Sequence, residues 1–212
     1  MKKRLAIYTC MWMMLVITAF GCTASSTSSP AASSDKASSQ SDSKSKTMLS
    51  DSLLDAQIQI NGDVYTVPCT FQDLFDKGWT TKDDVESKEL SSLFGGAAGM
   101  DNGDAYMVVS FSNTTDERMM AVDSPIHQID ISAEFNTETE VMMPGGISFG
   151  ATVQDLKAAY GEPDDEYLGS YYTTLTYELP GSHDTLIAQD YISLTVYNDI
   201  GLGAIILNQK VK

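Results

Sequence analysis

The residue types of a hydrolytic triad stand side by side in Ser182, His183 and Asp184. A triad needs a fold that aligns a nucleophile, a base and an orienting acid, and three consecutive residues do not provide that geometry by themselves. Pro180 and Gly181 come just before them, and Pro, Gly, Ser and Asp are all typical of turns. We therefore interpret this segment as a turn, and a hydrolytic protein that uses His183 or the acidic loops is only an alternative.

Two acidic segments, residues 101–104 and 164–166, could offer oxygen ligands to a cation. Calcium takes about six to eight oxygen ligands, and neither segment has the spacing of an EF-hand loop. Asp, Asn and Gly are also the usual residues of turns. Zinc is disfavoured because two His and so few cysteines give it too few ligands. We therefore predict no metal and no cofactor, with weak calcium binding left open.

The three cysteines have different expected roles. Cys10 lies within an apolar N-terminal run, residues 5–20, and Cys22 comes two residues after that run. If the run is removed and Cys22 is modified, Cys69 is left without a partner for an intramolecular disulfide. Cys69 follows Val67 and Pro68, and in this context we predict a packed thiol rather than a nucleophile.

The N-terminus has the parts of a secretory signal. Lys2, Lys3 and Arg4 form a basic start, residues 5–20 are uncharged and mostly apolar, and small residues follow. The apolar run has 16 residues, whereas a helix that spans the hydrocarbon of a bilayer needs about 20. The sequence therefore predicts export and disfavours a membrane helix that is never cleaved.

Ala19, Phe20 and Gly21 precede Cys22, and a small residue followed by Cys at this point resembles the lipobox of bacterial lipoproteins. The resemblance implies that residues 1–22 are a lipoprotein signal peptide segment, in which diacylglycerol alkylates the Cys22 thiol and the chain is cut before Cys22. It also implies a protein anchored by acyl chains in the cell membrane, facing the extracellular side. Ala19 and Gly21 equally fit an ordinary cleavage site, which would release a soluble protein, and this alternative stays open.

The chain is strongly acidic, with 13 Lys and Arg against 29 Asp and Glu and a formal net charge of −16 at pH 7. Nucleic acid is excluded as a partner because affinity for it depends on neutralisation of phosphates by Lys and Arg. Docking flat on an anionic membrane is disfavoured because like charges repel. A basic partner or a bound cation is compatible with this charge.

Residues 23–50 form a Ser-rich segment. Residues 23–47 contain eleven Ser and no Leu, Ile, Val or aromatic residue, so they cannot bury enough apolar surface to offset the entropy of ordering. A coil of this length spans about 30 Å on average, which exceeds the screening length of about 8 Å at physiological salt. We predict a disordered tether that holds the acidic folded part away from the membrane.

Patterns beyond position 50 predict two short helices and several strands. Asn61-Gly62 joins two alternating runs, which is the strongest short signal of a hairpin. Thr70 and Thr152 each precede a helical apolar pattern with Asp three residues later, as in a capping box. Alternating runs predict further strands at residues 105–111, 126–133, 171–177, 191–197 and 203–207.

Two details follow from the same patterns. Residues 93–99 are rich in Gly and lack alternation, so we predict a loop there. Within residues 126–133, alternation places His127 on the same face as Ile129 and Ile131. A single His in such a position is more often packed than a ligand.

The sequence TFQDL at residues 70–74 recurs as TVQDL at residues 152–156. In both places Gly closes the helical pattern and strand patterns follow. The chain beyond position 50 is about 160 residues long, which suffices for a core without disulfides. We predict an α+β fold of two repeats, residues 51–135 and 136–212, each a short helix packed on an antiparallel sheet.

The second repeat carries a longer pattern, with the spacing G-x-T-x3-L-x4-G-x-P from Gly150 to Pro163. Over about residues 147–207 the chain resembles the SmpA/OmlA family, the small lipoproteins of outer-membrane barrel assembly. It also resembles the tandem-repeat fold of the β-lactamase inhibitor protein. The resemblance implies the fold, and it implies binding of other proteins through sheet faces and loops without catalysis.

Three tyrosines fall on one side of the predicted sheet. In residues 191–197, buried-type residues alternate with Tyr191 and Tyr197, so both tyrosines are expected to point away from the helix. Tyr172 is expected to point the same way from the preceding strand. Tyr is enriched in interface hot spots, although Tyr and Thr are also simply good strand residues. We therefore predict a partner-binding platform formed by Tyr172, Tyr191 and Tyr197.

Together these patterns predict a lipid-anchored, non-catalytic binding module of the cell surface, with a protein or cell-wall component as its partner. An envelope structural or assembly factor, closer to the barrel-assembly lipoproteins, is the alternative. An enzyme ranks third because no catalytic constellation is evident in the sequence.

Overall fold

The computed structural model describes residues 48–180 and 190–210, which form an α+β structure dominated by antiparallel strands. The strands are β1 (Gln57–Ile60), β2 (Asp63–Thr66), β3 (Thr80–Thr81), β4 (Glu89–Leu90), β5 (Gly95–Asn102), β6 (Ala105–Ser112), β7 (Met119–Met120), β8 (Ile126–Ser132), β9 (Val141–Met143), β10 (Ile147–Ser148), β11 (Asp165–Leu168), β12 (Tyr172–Glu178), β13 (Tyr191–Tyr197) and β14 (Gly201–Asn208). The α-helices are α1 (Phe71–Phe75) and α2 (Val153–Tyr160), and single 3-10 turns occupy Leu53–Asp55, Ala121–Asp123, Ala133–Phe135 and Pro144–Gly146.

The largest sheet has eight strands in the order β11-β12-β13-β14-β8-β6-β5-β3, and neighbouring strands are antiparallel. Strands β14 and β8 meet at its centre, where Ile205 lies opposite Ile131. A second sheet has the order β10-β9-β1-β2, and β4 pairs with β7. The first four strands in the large sheet follow residue 135 and the other four precede it, so the chain supplies each half of the sheet from one half of its length.

Both helices begin with the predicted capping box. The Asp73 backbone N–H donates to Thr70 Oγ1 at 3.1 Å, and the Thr70 backbone N–H donates to the Asp73 carboxylate at 2.9 Å. Thr152 and Asp155 repeat this arrangement at 3.2 and 2.9 Å. Each box satisfies backbone donors that have no partner within the helix, so the threonines fix where α1 and α2 start.

One hydrophobic core lies between the helices and one face of the large sheet. Aromatic contacts pack each helix against the sheet. The rings of Phe71 in α1 and Phe111 in β6 are 5.2 Å apart between centroids, and those of Tyr160 in α2 and Tyr177 in β12 are 5.9 Å apart. Leu156 of α2 is fully buried in the same core. Because the core is continuous through both halves of the sheet, apolar burial stabilises them together.

Most of the Gly-rich stretch at residues 93–99 is a strand rather than the predicted loop, since β5 starts at Gly95. Strand β6 supplies a full ladder along it, residue by residue. A Cβ atom at Gly96 would come within 2.8 Å of the Phe111 ring, and one at Gly99 within 2.8 Å of the Tyr106 hydroxyl. Glycine at these positions therefore lets the rings of β6 lie against β5. Because glycine has no side chain, the sequence of β5 shows no alternation of polar and apolar residues.

His127 does not share the face of Ile129 and Ile131, because β8 contains a bulge. Ile126 lies opposite Phe111 whereas Gln128 lies opposite Ser110, so His127 is the extra residue between them. A bulge shifts the alternation by one residue, which turns Ile126 and Ile129 both inward. The His127 side chain is half-buried, and its Nδ1 lies 3.4 Å from Ser112 Oγ.

Candidate functional site

The face of the large sheet opposite the helices is the most extended candidate surface, and we call it the outer face. Along β13, Ile192, Leu194 and Val196 are buried under the helices, while the alternating residues between them are half-exposed, as predicted. The same alternation runs through the neighbouring strands. The outward residues of the central strands are Tyr106, Val108, Ser110, Gln128, Asp130, Ser132, Tyr172, Thr174, Thr176, Tyr191, Ser193, Thr195, Tyr197, Ala204 and Ile206.

Two of the three predicted tyrosines lie side by side at one end of the outer face. Tyr172 and Tyr197 are directly opposite in the β12–β13 ladder, and their ring centroids are 6.0 Å apart. Tyr167 of β11 adds a third ring, 5.9 Å from Tyr172. We call Tyr167, Tyr172 and Tyr197 the tyrosine cluster. Its rings are close enough to stabilise one another as an aromatic group.

Tyr191 is on the outer face but apart from the tyrosine cluster. It begins β13, whereas Tyr197 ends it, and six residues of extended strand span about 20 Å. Tyr167, in turn, was missed by the sequence patterns because β11 starts at Asp165, within a segment interpreted as an acidic turn. Its neighbours Glu166 and Leu168 point to the other side, so the strand could have been recognised only by its pairing with β12.

The Tyr197 ring packs against the backbone of the neighbouring strand β14 at Gly203. A Cβ atom at Gly203 would come within 2.6 Å of Tyr197 Cδ2, so only glycine leaves room for the ring there. Further exposed apolar side chains occur at the same end of the sheet: Tyr171 and Leu168 are 80% and 73% exposed, and Ile200 is also exposed.

A second aromatic pair lies at the same end of the outer face. The rings of Tyr106 and Phe135 are 5.6 Å apart, and Phe135 is 59% exposed. Phe135 follows closely on Ser132, which lies opposite Ala204 at the β8–β14 junction. The tyrosine cluster and the Tyr106–Phe135 pair therefore lie along one end of the sheet, on both sides of its centre.

Between the aromatic residues and the far end, the outer face is built from short side chains. Thr174 and Thr195 hydroxyls are 3.3 Å apart across the β12–β13 ladder, and Ser193 and Thr176 are opposite one another next to them. Short hydroxyl side chains leave the sheet surface flat. They also present donors and acceptors that can be satisfied either by water or by a docked surface.

Asp130 carries the central charge of the outer face. It lies opposite Val108 of β6 and Ile206 of β14. Burial between its neighbours raises the pKa of the Asp130 carboxyl above its usual range. Burial likewise lowers the pKa of the His127 imidazole, which is therefore neutral at pH 7.

The acidic segments considered for calcium are engaged in other contacts. Glu166 forms an ion pair with Lys157 at 2.9 Å, Asp164 accepts the Glu178 backbone N–H at 2.8 Å, and Asp101 lies 3.9 Å from Lys82. In residues 48–180 and 190–210, no three metal-binding side chains come together.

Among the other candidate residues, Cys69 lies within the described part of the chain. Cys69 is a free, half-buried thiol whose pKa burial raises to about 12. Cys22, Ser182, His183 and Asp184 lie outside the described residues, as do most of the predicted tether and the signal peptide. Among the helices that are described, none is long and apolar enough to cross a bilayer.

Comparison of the chain with protein-family models, curated proteins and solved structures finds no match.

Proposed function

We propose that this chain is a lipid-anchored, non-catalytic binding module on the extracellular side of the cell membrane. It holds a partner protein against the outer face, and the tyrosine cluster is the centre of that contact. The single observation that carries the proposal is the exposed group formed by Tyr167, Tyr172 and Tyr197 on an otherwise flat sheet face.

The composition of the outer face supports protein binding. Aromatic residues are enriched in interface cores, and tyrosine in particular is common among the few residues that carry most of the binding energy. The rings are already held in place, Tyr197 by Gly203 and Tyr172 by the rings on either side. Binding therefore loses little side-chain entropy, which favours affinity.

We further propose that the folded part is a tandem repeat of the SmpA/OmlA-like or β-lactamase-inhibitor-protein-like kind. The order of elements supports it. The β1–β2 hairpin, α1 and strands β3, β5, β6 and β8 are followed by the β9–β10 hairpin, α2 and strands β11 to β14. In chain order, the strands of each set go from one edge of the large sheet to its centre, and the two sets start from opposite edges. Both helices begin with the same Thr-Asp capping box.

The anchor in this proposal is Cys22, whose thiol is alkylated by diacylglycerol before the chain is cut in front of it, so that Cys22 becomes the new amino terminus. The Ser-rich residues 23–50 then separate the membrane from the acidic folded part. Acyl anchoring leaves the outer face free to meet partners within reach of the tether, of about 30 Å.

The test is capture of a partner from cell-envelope extract by the immobilised protein. Replacement of Tyr172, Tyr191 and Tyr197 together by Ala should abolish capture. Replacement of Tyr172 and Tyr197 alone should weaken it by at least about tenfold, because loss of a hot-spot side chain costs roughly 2 kcal/mol.

Phe94→Ala is the matched control. Phe94 is also an exposed aromatic residue, 67% exposed, but it precedes β5 at the opposite end of the sheet. Its replacement should leave capture unchanged. Full capture by the triple tyrosine variant, or equal loss in the Phe94 variant, would refute the proposed site.

A further inference from the structure

The Asp130 carboxylate has no hydrogen-bond or ion-pair partner within residues 48–180 and 190–210, although it is half-buried in the middle of a sheet. The residues directly opposite it, Val108 and Ile206, are both apolar. A carboxylate that loses water without gaining a partner is costly, and the cost grows when a second surface covers it. This single residue therefore restricts what can dock on the outer face.

The strands around Asp130 contain no compensating cation. None of the eight strands of the large sheet has a Lys or Arg residue. The other charged side chains at outward positions of β11 and β12, Asp165 and Glu178, are also acidic. With a formal net charge of −16 for the chain, the outer face attracts positive surfaces and repels negative ones.

We propose that the partner of the outer face is a basic protein that places a Lys or Arg side chain against Asp130, between Val108 and Ile206. This inference rests on the proposed function and specifies the chemistry of its partner. A partner with a neutral or acidic group at that point would leave the carboxylate desolvated and unpaired, so the same residue that binds the correct partner discriminates against others.

One partner can cover both Asp130 and the tyrosine cluster. Asp130 lies opposite Ile206, which lies opposite Ser193, and Tyr197 is four residues further along β13. Strand spacing and rise give about 16 Å between Asp130 and Tyr197. An ordinary interface buries about 800 Å² on each protein, which corresponds to a patch roughly 30 Å across. The aromatic contact and the charge contact therefore fit within one footprint.

The experiment measures whether the outer face prefers a cation at Asp130. The full chain, purified in detergent, is titrated with the blocked tripeptide Tyr-Arg-Tyr and with its neutral counterpart in which citrulline replaces Arg. Backbone amide shifts of Val108, Asp130 and Ile206 report binding at the site. We expect the Arg peptide to bind about fivefold more tightly at low salt, with the preference shrinking as salt is added, as for a partly exposed ion pair.

Asp130→Asn removes the charge and keeps the shape of the side chain. It should bring the two peptides to equal affinity, while Asp116→Asn, which removes an exposed charge outside the large sheet, should leave the preference unchanged. Because burial raises the pKa of Asp130, the Asn variant should melt at or above the temperature of the natural chain at pH 7, which excludes misfolding as the cause.

The outcomes separate this inference from the proposed function. Loss of the Arg preference in Asp130→Asn supports the inference. A preference that survives in that variant, or the absence of shifts at Val108 and Ile206 with the Arg peptide at millimolar concentration, overturns it. The variant with Ala at Tyr172 and Tyr197 should weaken both peptides equally, and if it weakens neither, the proposed tyrosine site fails while the Asp130 result is still decided on its own.

Discussion

Cys69 illustrates how packing sets the reactivity of one side chain. The sequence predicts a packed thiol, and Cys69 lies half-buried where its backbone pairs with Ile126, between the start of α1 and β8. Burial, and then the nearby Asp73 carboxylate, raise the thiol pKa to about 12. Only the thiolate is a nucleophile, so a raised pKa makes the residue inert at physiological pH.

Iodoacetamide at pH 8 should therefore alkylate Cys69 in the folded protein at least a hundredfold more slowly than in urea, where the thiol returns to a pKa of about 8.5. Mass spectrometry of the peptide that contains Cys69 measures the rate without interference from other cysteines. Equal rates in the folded and unfolded states would contradict the raised pKa. Because the folded pKa is higher, the stability that the thiol contributes is complete below about pH 8.5 and is lost as the pH rises towards 12.

At the scale of elements, the helices depend on their caps and on the core. Helix α1 has five residues and α2 has eight, and isolated helices of fewer than about 12 residues are marginal in water. Phe71, Leu74 and Leu156 are fully buried, so tertiary packing stabilises both helices. The capping boxes contribute by fixing the first turn in register with that packing.

Thr152→Ala removes the side-chain acceptor at the start of α2. Loss of such a cap costs about 1 kcal/mol, which lowers Tm by roughly 2–4 °C in a chain of this size. A thermal melt followed by circular dichroism measures the shift.

Thr152→Ser keeps the hydroxyl and should restore most of the stability. Ser148→Ala removes a hydroxyl just before α2 whose hydrogen bond, at 3.5 Å, goes to the carbonyl of the next residue, and it should be neutral. If the Thr152→Ala variant has the same Tm as the natural chain, or if Ser148→Ala lowers the Tm as much as Thr152→Ala does, the cap does not stabilise the helix.

At the scale of the whole molecule, the two halves of the chain meet through a sheet and a shared core. The β8–β14 pair joins them, with Ile131 and Ile205 buried and opposite one another. Burial on one face leaves the other face open across both halves. A binding surface that extends across the whole sheet therefore requires the pairing of β8 with β14, because neither half of the sheet is wide enough by itself.

The anchor is a property of the whole chain, and it gives a direct prediction. The mature protein purified from membranes should begin at Cys22 and carry the mass of diacylglycerol on that residue. Cys22→Ser should move the protein from the membrane fraction to the soluble or secreted fraction, whereas Cys69→Ser should leave it with the membrane. An unmodified amino terminus at Cys22 without fatty acid would exclude the lipid anchor.

Strand identity was predictable wherever side chains alternate, as in β13, whose bounds at Tyr191 and Tyr197 match the pattern. It was not predictable in β5, whose outward positions include glycines, nor in β11, whose residues carry no apolar alternation. Both depend on a long ladder with a neighbouring strand. Hydrogen bonding between strands leaves no periodic trace in the residues of either strand, even where a short turn joins the two, as it joins β5 to β6 and β11 to β12.

The candidate site was predictable where it depends on alternation within a strand, and not where it depends on pairing between strands. Alternation indicated that Tyr172 and Tyr197 point outward, but their contact depends on the register of β12 against β13. Tyr167 joins them only because β11 pairs with β12, and the separation of Tyr191 follows from its position at the other end of β13. Asp130 was not singled out, since an isolated Asp in a strand pattern gives no signal until its neighbours are known.

The sequence was sufficient for the local features: the α+β class, the two helix starts, the hairpin at Asn61-Gly62 and the inward and outward sides of strands without a bulge, such as β12. These depend on contacts between residues close in the chain, such as Thr152 with Asp155. Beyond that hairpin, only the tertiary structure shows which strands are neighbours, and hence that three tyrosine rings and the Asp130 carboxylate share a single open face. The relation between the tyrosine rings and Asp130 is set by pairing between segments far apart in the chain, as between β8 and β14, where the stabilising contacts belong to no single segment of the sequence.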